Sequence, residues 1–375
     1  ERLTISVLMD MDNRGNMLSY KVFPSVIKSK KRLTYSEAYR LLNEGDRDDD
    51  YGEVFTSLQN MAELAFMLKN NRIAGGSVEF DIPETKIKIG KNGKIKKVTM
   101  AERNVAHELI EEFMLIANRS ISDFLVKNRL PYLNRYHDSP NLEKLQNISL
   151  FLRDFGEEFE FGENVRQKDL QNLLKRTIDK PFSKSLNRLL LRAMNKAEYS
   201  ALNSGHFCLG FDQYVHFTSP IRRYPDLLIQ RIIKDFLNGD INDKYLSNLR
   251  EKTLVWAHQS TIKERKAMDA EREIQDFQCA QFMVDKVGQK FEGIISSVMA
   301  FGFFVELLDP YIEGLVKVGS LTDDYYIFYE KELKLKGQYK KKTFQIGDSI
   351  KVKIFKVDLS QRHIEFTIPE FTETA

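Results

Sequence analysis

Cysteine is almost missing from this chain of 375 residues. Cys208 and Cys279 are the only two, which excludes a disulfide framework and a cysteine-rich zinc site. Long apolar runs are missing as well. No stretch is unbroken enough to cross a bilayer as a helix, and the first residues lack the basic-then-apolar order of a signal peptide. A reducing, cytoplasmic setting with no membrane partner is the expectation. A strong charge of one sign is also absent: Lys+Arg 57 against Asp+Glu 54 leave a formal net charge of +3. That balance is too small to indicate a nucleic-acid partner, so local clustering has to carry any such argument. Internal repeats and low-complexity tracts are not evident. The chain opens on Glu1-Arg2-Leu3-Thr4-Ile5-Ser6-Val7-Leu8-Met9, the rhythm of a strand already under way, with no initiator methionine.

What is present fits an α+β protein with room for two or three domains. Residues 1–30 alternate through Leu3, Ile5 and Val7, then Leu18, Tyr20 and Val22, around the polar turn Asp12-Asn13-Arg14-Gly15-Asn16. Helical spacing covers 34–42 and 54–69, with the acidic stretch 45–50 between them read as a loop. Strands are expected again within 76–99, at 78–80 and 86–89. Helices follow over 101–128, 141–154, 167–175, 184–196, 225–237 and 243–286. At Gly288 the texture changes. Alternation of β-branched and aromatic residues over 291–298, 303–307, 314–318 and 350–357 indicates a small β-barrel. Two domains are therefore expected, 1–287 and 288–375.

The segment Tyr214-Val215-His216-Phe217-Thr218-Ser219-Pro220-Ile221-Arg222-Arg223-Tyr224-Pro225-Asp226-Leu227 is the densest in chemistry. It sets a hydroxyl pair, a proline and two adjacent arginines just before an amphipathic run. Pro220 suits the first turn of a helix capped by Ser219 or Thr218. Free amides of that turn, together with the planar guanidinium of Arg222 or Arg223, would make a site for a phosphodiester. The plainer alternative is an ordinary capped helix with solvated arginines.

The whole string resembles the signature of the RNB catalytic domain of the ribonuclease II and ribonuclease R family, processive exonucleases acting from the RNA 3′ end. Further blocks resemble the family in the same order: Phe80-Asp81-Ile82-Pro83-Glu84, Ile110-Glu111-Glu112-Phe113-Met114, Arg135-Tyr136-His137-Asp138-Ser139-Pro140, Gly205-His206-Phe207 and Ala270-Glu271-Arg272. The barrel segment, with Phe301-Gly302-Phe303-Phe304-Val305-Glu306-Leu307 and Gly347-Asp348-Ser349-Ile350-Lys351-Val352, resembles the OB-fold repeat first described in a ribosomal protein. Its position directly after the catalytic domain is the order of the ribonuclease R branch.

The resemblance implies single-stranded RNA as partner and roles for particular residues. Arg222 would hold the phosphate at or beside the scissile bond. Arg223 and Tyr224 would contact the RNA backbone. Glu111 and Glu271 would line the RNA end and contact ribose or position the reaction, Glu271 as a catalytic residue with Arg222. Phe80 would stack on the last bases. In the barrel, Phe301, Phe303 and Phe304 offer stacking faces; at least one must fill the core, and Phe301 and Phe303 are the expected RNA contacts. Residues 331–342 hold Lys331, Lys334, Lys336, Lys340, Lys341 and Lys342, and are expected to form a long loop that attracts phosphates. His137, His206 and His216 show no ligand spacing and read as structural. Asp48-Asp49-Asp50 reads as a solvated face rather than a magnesium site.

The resemblance also implies magnesium, held in the intact enzyme by clustered aspartates. No closely spaced aspartates in residues 1–60 match that part of the pattern. The expectation is a C-terminal portion of an exoribonuclease, with no metal ligands in this chain and its own N-terminal portion as a candidate partner. The alternative is a non-catalytic RNA-binding protein on an RNB scaffold. A generic OB-fold translation factor leaves the ordered blocks of 1–287 unexplained. Purified alone with ample magnesium, the chain is expected to release no nucleotides from RNA, and the upstream segment supplied in trans or in cis is expected to restore release. Robust magnesium-dependent release by the chain alone, followed by chromatography of the products, would show the ligands to be misplaced.

Overall fold

A computed structural model describes residues 1–45, 51–82, 84–91, 93–101 and 103–371. The architecture is α+β, as the sequence pattern indicates. It separates into two compact units, each assembled from distant segments. One comprises Glu1–Val78, Glu102–Ser139 and Asn195–Glu264; the other comprises Glu79–Ala101, Pro140–Met194 and Arg265–Ala375. The Asp48–Asp50 stretch lies outside the described residues. Among the described residues, no helix is long and apolar enough to cross a membrane.

The first unit opens with an antiparallel hairpin of strands Arg2–Met11 and Met17–Ile27. Its turn is closed by the Asp12 carboxylate, which accepts from the Arg14 and Asn16 amides at 2.9 and 2.8 Å, while Gly15 takes a φ of 75°. Ile5, Val7 and Val22 face a core of Ile121, Leu125, Val215, Ile229 and Ile232. Helices Tyr35–Glu44 and Gly52–Ala74 pack with helix Val105–Lys127 through Leu41, Leu58, Ala65 and Leu109. Two caps set helix starts. Thr34 and Glu37 form a reciprocal capping box, and Asn104 accepts from the Ala106 amide at 3.1 Å. The second cap places the start of the long helix at Val105, later than its periodicity suggested.

Pro220 does not enter a helix. Helix Tyr224–Leu237 begins after Arg223, whose φ of −123° and ψ of 115° are extended, and it is Pro225 that occupies the first helical turn. The reason is local. The Arg222 amide donates to the Ser219 carbonyl at 3.3 Å, closing a four-residue turn with Pro220 in its second position, where the fixed φ of proline is favoured.

Three histidines of the first unit are held by local hydrogen bonds and stacking. The His137 and His206 rings stack at 4.8 Å. The Cys208 amide donates to His137 Nδ1 at 3.4 Å, and the Leu209 amide to His206 Nδ1 at 3.3 Å. His216 Nδ1 lies 2.9 Å from the Tyr199 hydroxyl.

The second unit contains the hairpin Thr85–Ile89 and Ile95–Met100, helices Leu142–Asp154, Gln167–Arg176 and Ser183–Ala193, and a closed five-stranded barrel. The barrel strands are Lys290–Met299, Gly302–Leu307, Glu313–Lys317, Ser349–Asp358 and His363–Thr367. Phe303, Val305, Leu307, Val316 and Val352 are fully buried inside it. Gly314 is required there, because a Cβ would sit 2.6 Å from the Phe366 ring. Beside the barrel lies a three-stranded sheet of Tyr326–Tyr329, Lys334–Gly337 and Thr343–Gln345.

Two expectations fail here. Residues 78–80 form no strand: the segment is irregular, and the Asp81 amide donates to Asn187 Oδ1 at 3.0 Å rather than to a ladder. Residues 331–342 are not one long loop either. Leu335 is fully buried, so the alternation around it folds as the central strand of the small sheet, and only the turn at 338–342 projects.

Burial drives His206 down to about 3 and His216 to about 2, with nearby cations adding to the effect. Both are therefore neutral when folded but take a proton near pH 6.5 when unfolded. Their depressed folded values give stability that is fully present above pH 6.5 and is lost as pH falls toward 3. Each histidine should steepen the loss by up to about 1.4 kcal/mol per pH unit in that window. Denaturant titrations at several pH values should show His206→Gln with a flatter pH dependence between 6 and 4 than the unmodified chain; equal slopes would contradict the buried neutral state.

Candidate functional site

The motif segment of the first unit runs extended through Tyr214–Phe217 without joining a sheet, so its polar groups need partners of another kind. Asn118 supplies two of them. Its amide nitrogen donates to the Tyr214 hydroxyl at 2.9 Å, and its Oδ1 accepts from the Phe217 amide at 2.9 Å. Gln230 donates to the Phe217 carbonyl at 3.0 Å, and the Arg135 amide to the Tyr214 carbonyl at 2.7 Å. Arg135 in turn pairs with Glu264 at 2.6 Å.

Beyond Phe217 the turn is braced by Asp226, whose carboxylate is fully buried at the start of the helix. Asp226 Oδ1 accepts from the Ser219 amide at 2.7 Å and from Arg223 at 3.1 and 2.7 Å. This separates the two arginines. Arg223 is committed to Asp226 with only 17% of its side chain exposed. Arg222 is exposed, and among the described residues its guanidinium has no hydrogen-bond or ion-pair partner. Two buried acceptors here are also without a partner among the described residues: Thr218 Oγ1 and Asp226 Oδ2. The result is a rigid turn that presents one free planar cation, whose fork of donors is suited to a phosphate. Tyr224 is half exposed at the first helical position.

Glu111 and Glu112 lie side by side on helix Val105–Lys127 but differ sharply. Glu111 is partly exposed and pairs with Arg103. Glu112 is buried and holds Arg72, which also donates to Ser77. Burial of both partners marks the Arg72–Glu112 pair as structural.

The second unit has its own concave surface, a cleft of about 760 Å³. Phe301 and Phe304 meet edge to face at 6.2 Å in its wall, with Arg192, Arg272, Lys317 and Arg362 around them. Acids are present too, but several are engaged: Glu306 pairs with Arg188, and Glu365 with Lys317. Burial raises the carboxyl of Asp276 above the usual carboxylate range. Glu271 is exposed on helix Asp243–Met283, one residue before the cleft-lining Arg272. Phe80 is partly buried in the irregular segment before the hairpin.

Phe303 cannot stack on a base. It is fully buried and lies against Phe344 at 4.8 Å inside the barrel. Phe304 takes the outward position instead. The sequence carried a signal for this, because Phe303 is in phase with Val305 and Leu307 whereas Phe304 is in phase with Glu306. Among the lysines, Lys340 and Lys341 are exposed on the turn, whose amides at Tyr339 and Lys340 donate to Asp324. Lys342 is half engaged, 3.5 Å from Glu370 and 5.3 Å over the Phe344 ring. Asp226, the residue that decides which arginine is free, was not singled out by sequence reasoning. Its spacing of three from Arg223 at a helix start was the available clue.

Among the described residues, no three His, Cys, Asp or Glu side chains gather where they could hold a metal ion. The described residues therefore do not fit the magnesium site that the resemblance implies.

Known proteins resemble this chain in sequence and in fold. The RNB domain profile matches residues 1–239, and the S1 RNA binding domain profile matches residues 284–368. Ribonuclease R of Buchnera aphidicola (Schizaphis graminum) is 39% identical over 98% of this chain and 51% of its own length. Ribonuclease R of Escherichia coli is 36% identical over 98% of this chain and 46% of its own length. The chain thus spans about half the length of the curated relatives it matches. A solved Mycoplasma genitalium RNase R in complex with ribose methylated single-stranded RNA superposes with a TM-score of 0.93 at 27% identity, covering 98% of this chain and 58% of that one. With a family profile matched across most of its length and an S1 domain behind it, the chain belongs to the RNB family, on its ribonuclease R side.

Proposed function

We propose that this chain is the RNA-handling portion of a processive exoribonuclease that hydrolyses RNA in the 3′→5′ direction and releases nucleoside 5′-monophosphates. One observation carries the reading: a buried carboxylate ties down Arg223 and leaves Arg222 as the free guanidinium on a rigid turn. A planar fork of donors so placed would grip a phosphodiester and stabilise charge building on its oxygens. Glu271 and Glu111 are proposed to meet the ribose of the RNA end, and Phe80 to stack on a base. Tyr224, exposed beside the turn, is proposed to flank the backbone. Arg223 serves the turn rather than the RNA. Magnesium is proposed as a cofactor of the intact enzyme, with its ligands outside this chain. The division at 287/288 between an RNB portion and an OB-fold portion is part of the same proposal.

In the second unit, the cleft with Phe301 and Phe304 suits bases that must be held without regard to sequence, since every base offers a ring face. Its arginines supply the electrostatic attraction.

The test of the first part is Arg222→Lys in the active enzyme. Lysine keeps the charge but loses the bidentate fork. Turnover at saturating RNA should fall by roughly 10²-fold or more, with RNA affinity changing far less. Unchanged turnover would make Arg222 a bystander. For the lysine turn, neutralising Lys340, Lys341 and Lys342 together should weaken single-stranded RNA binding. The log–log salt slope should shrink by about 0.7 for each phosphate that is no longer neutralised, while turnover on short RNA stays near its original value. Binding isotherms at several salt concentrations decide this, and an unchanged slope reduces the lysines to a solvated turn.

A further inference from the structure

The hairpin of the second unit, strands Thr85–Ile89 and Ile95–Met100, is densely charged with one sign. Between residues 85 and 100 it has six lysines (Lys86, Lys88, Lys91, Lys94, Lys96 and Lys97) and no acid. The whole chain has a formal charge of +3, so the hairpin at +6 leaves the other residues at 3 − 6 = −3. All six lysines are exposed. Val98 on the opposite face is completely buried, so the two strands have an apolar side turned inward and a cationic side turned out.

The register sharpens this. Lys88 stands directly opposite Lys97, and Lys86 opposite Thr99. Like charges in directly opposed positions are unfavourable in an antiparallel pair. A hairpin that only needed protected edges could have alternated lysine with glutamate across the pair and gained stability. A layer of like-charged ammonium groups becomes favourable when a polyanion lies on it. The base of the hairpin is tied to the aromatic cleft of the same unit. Thr85 lines that cleft, and its hydroxyl donates to the Tyr311 carbonyl at 3.3 Å. The cationic face therefore begins where the aromatic cleft ends.

We propose that this lysine face is a second RNA-docking site, which holds the phosphodiester backbone of the stretch of RNA lying beyond the Phe301–Phe304 cleft. It reads no bases, and its contribution is electrostatic and sequence-independent. The proposal rests on RNA occupying the cleft, as argued under the proposed function.

The test uses the 375-residue chain with Lys86, Lys88, Lys96 and Lys97 all changed to Gln, a matching all-Arg variant, and Phe301→Ala with Phe304→Ala. Binding is measured across a salt series for a short oligonucleotide, a long single strand, and a strand of equal tail length ending in a duplex. The Gln variant should leave the short RNA almost unaffected and should flatten the salt slope for a longer RNA by about 2 to 3, at about 0.7 to 0.9 per phosphate. The Arg variant should keep the original slope. Loss confined to the long single strand identifies an unpaired backbone as the occupant, and loss confined to the duplex-bearing strand identifies a paired one. If slopes for both longer RNAs match those of the unmodified chain, the lysines only guard an edge and the docking site is overturned. If the phenylalanine variant binds all three RNAs normally, it is the cleft reading that fails, whatever the lysine variants do.

Discussion

Everything at the motif depends on how one extended, buried segment satisfies its hydrogen bonds. Tyr214–Phe217 lies in the core of its unit without a sheet to join, so each amide and carbonyl taken from water needs another partner. Asn118 and Gln230 provide it for the Phe217 amide and carbonyl from neighbouring helices, and the Arg135 amide provides it for the Tyr214 carbonyl. Because an unmatched buried donor costs roughly 1–3 kcal/mol, these side chains fix the segment in depth and direction. The turn that follows is delivered to one place.

The same economy explains the two arginines. Arg223 and Asp226 neutralise one another in a site where either alone would be expensive. Arg222, one residue earlier, projects outward and stays in water, which solvates its charge without any protein partner among the described residues. Adjacent residues of identical chemistry thus acquire opposite roles, one structural and one available to a ligand.

Much of this was legible in the sequence, and the limits have physical causes. The hairpin turn at Asp12–Asn16, the long helices and the barrel strands follow from periodicity and turn chemistry, because those signals are local. Pro220 was misplaced because two prolines five residues apart compete for one helix start, and only packing of Leu228, Ile229 and Ile232 decides that the helix begins at Tyr224. Phe303 was assigned outward because three phenylalanines looked equivalent until the strand phase set by Val305 and Leu307 was imposed. The strand at Lys334–Gly337 was hidden by its lysines, whose charge suggested a loop although Leu335 between them is buried. In each case the missing information was which side faced the core.

The bracing of the Ser219–Arg222 turn comes entirely from residues within the same short stretch: the Ser219 carbonyl and amide, Arg223 and Asp226. Its loop-closure entropy is therefore small, and it needs no distant partner to hold its shape. In evolutionary terms the turn behaves as a cassette. One residue added between Ser219 and Asp226 would break the register of the brace and release Arg223 from its carboxylate.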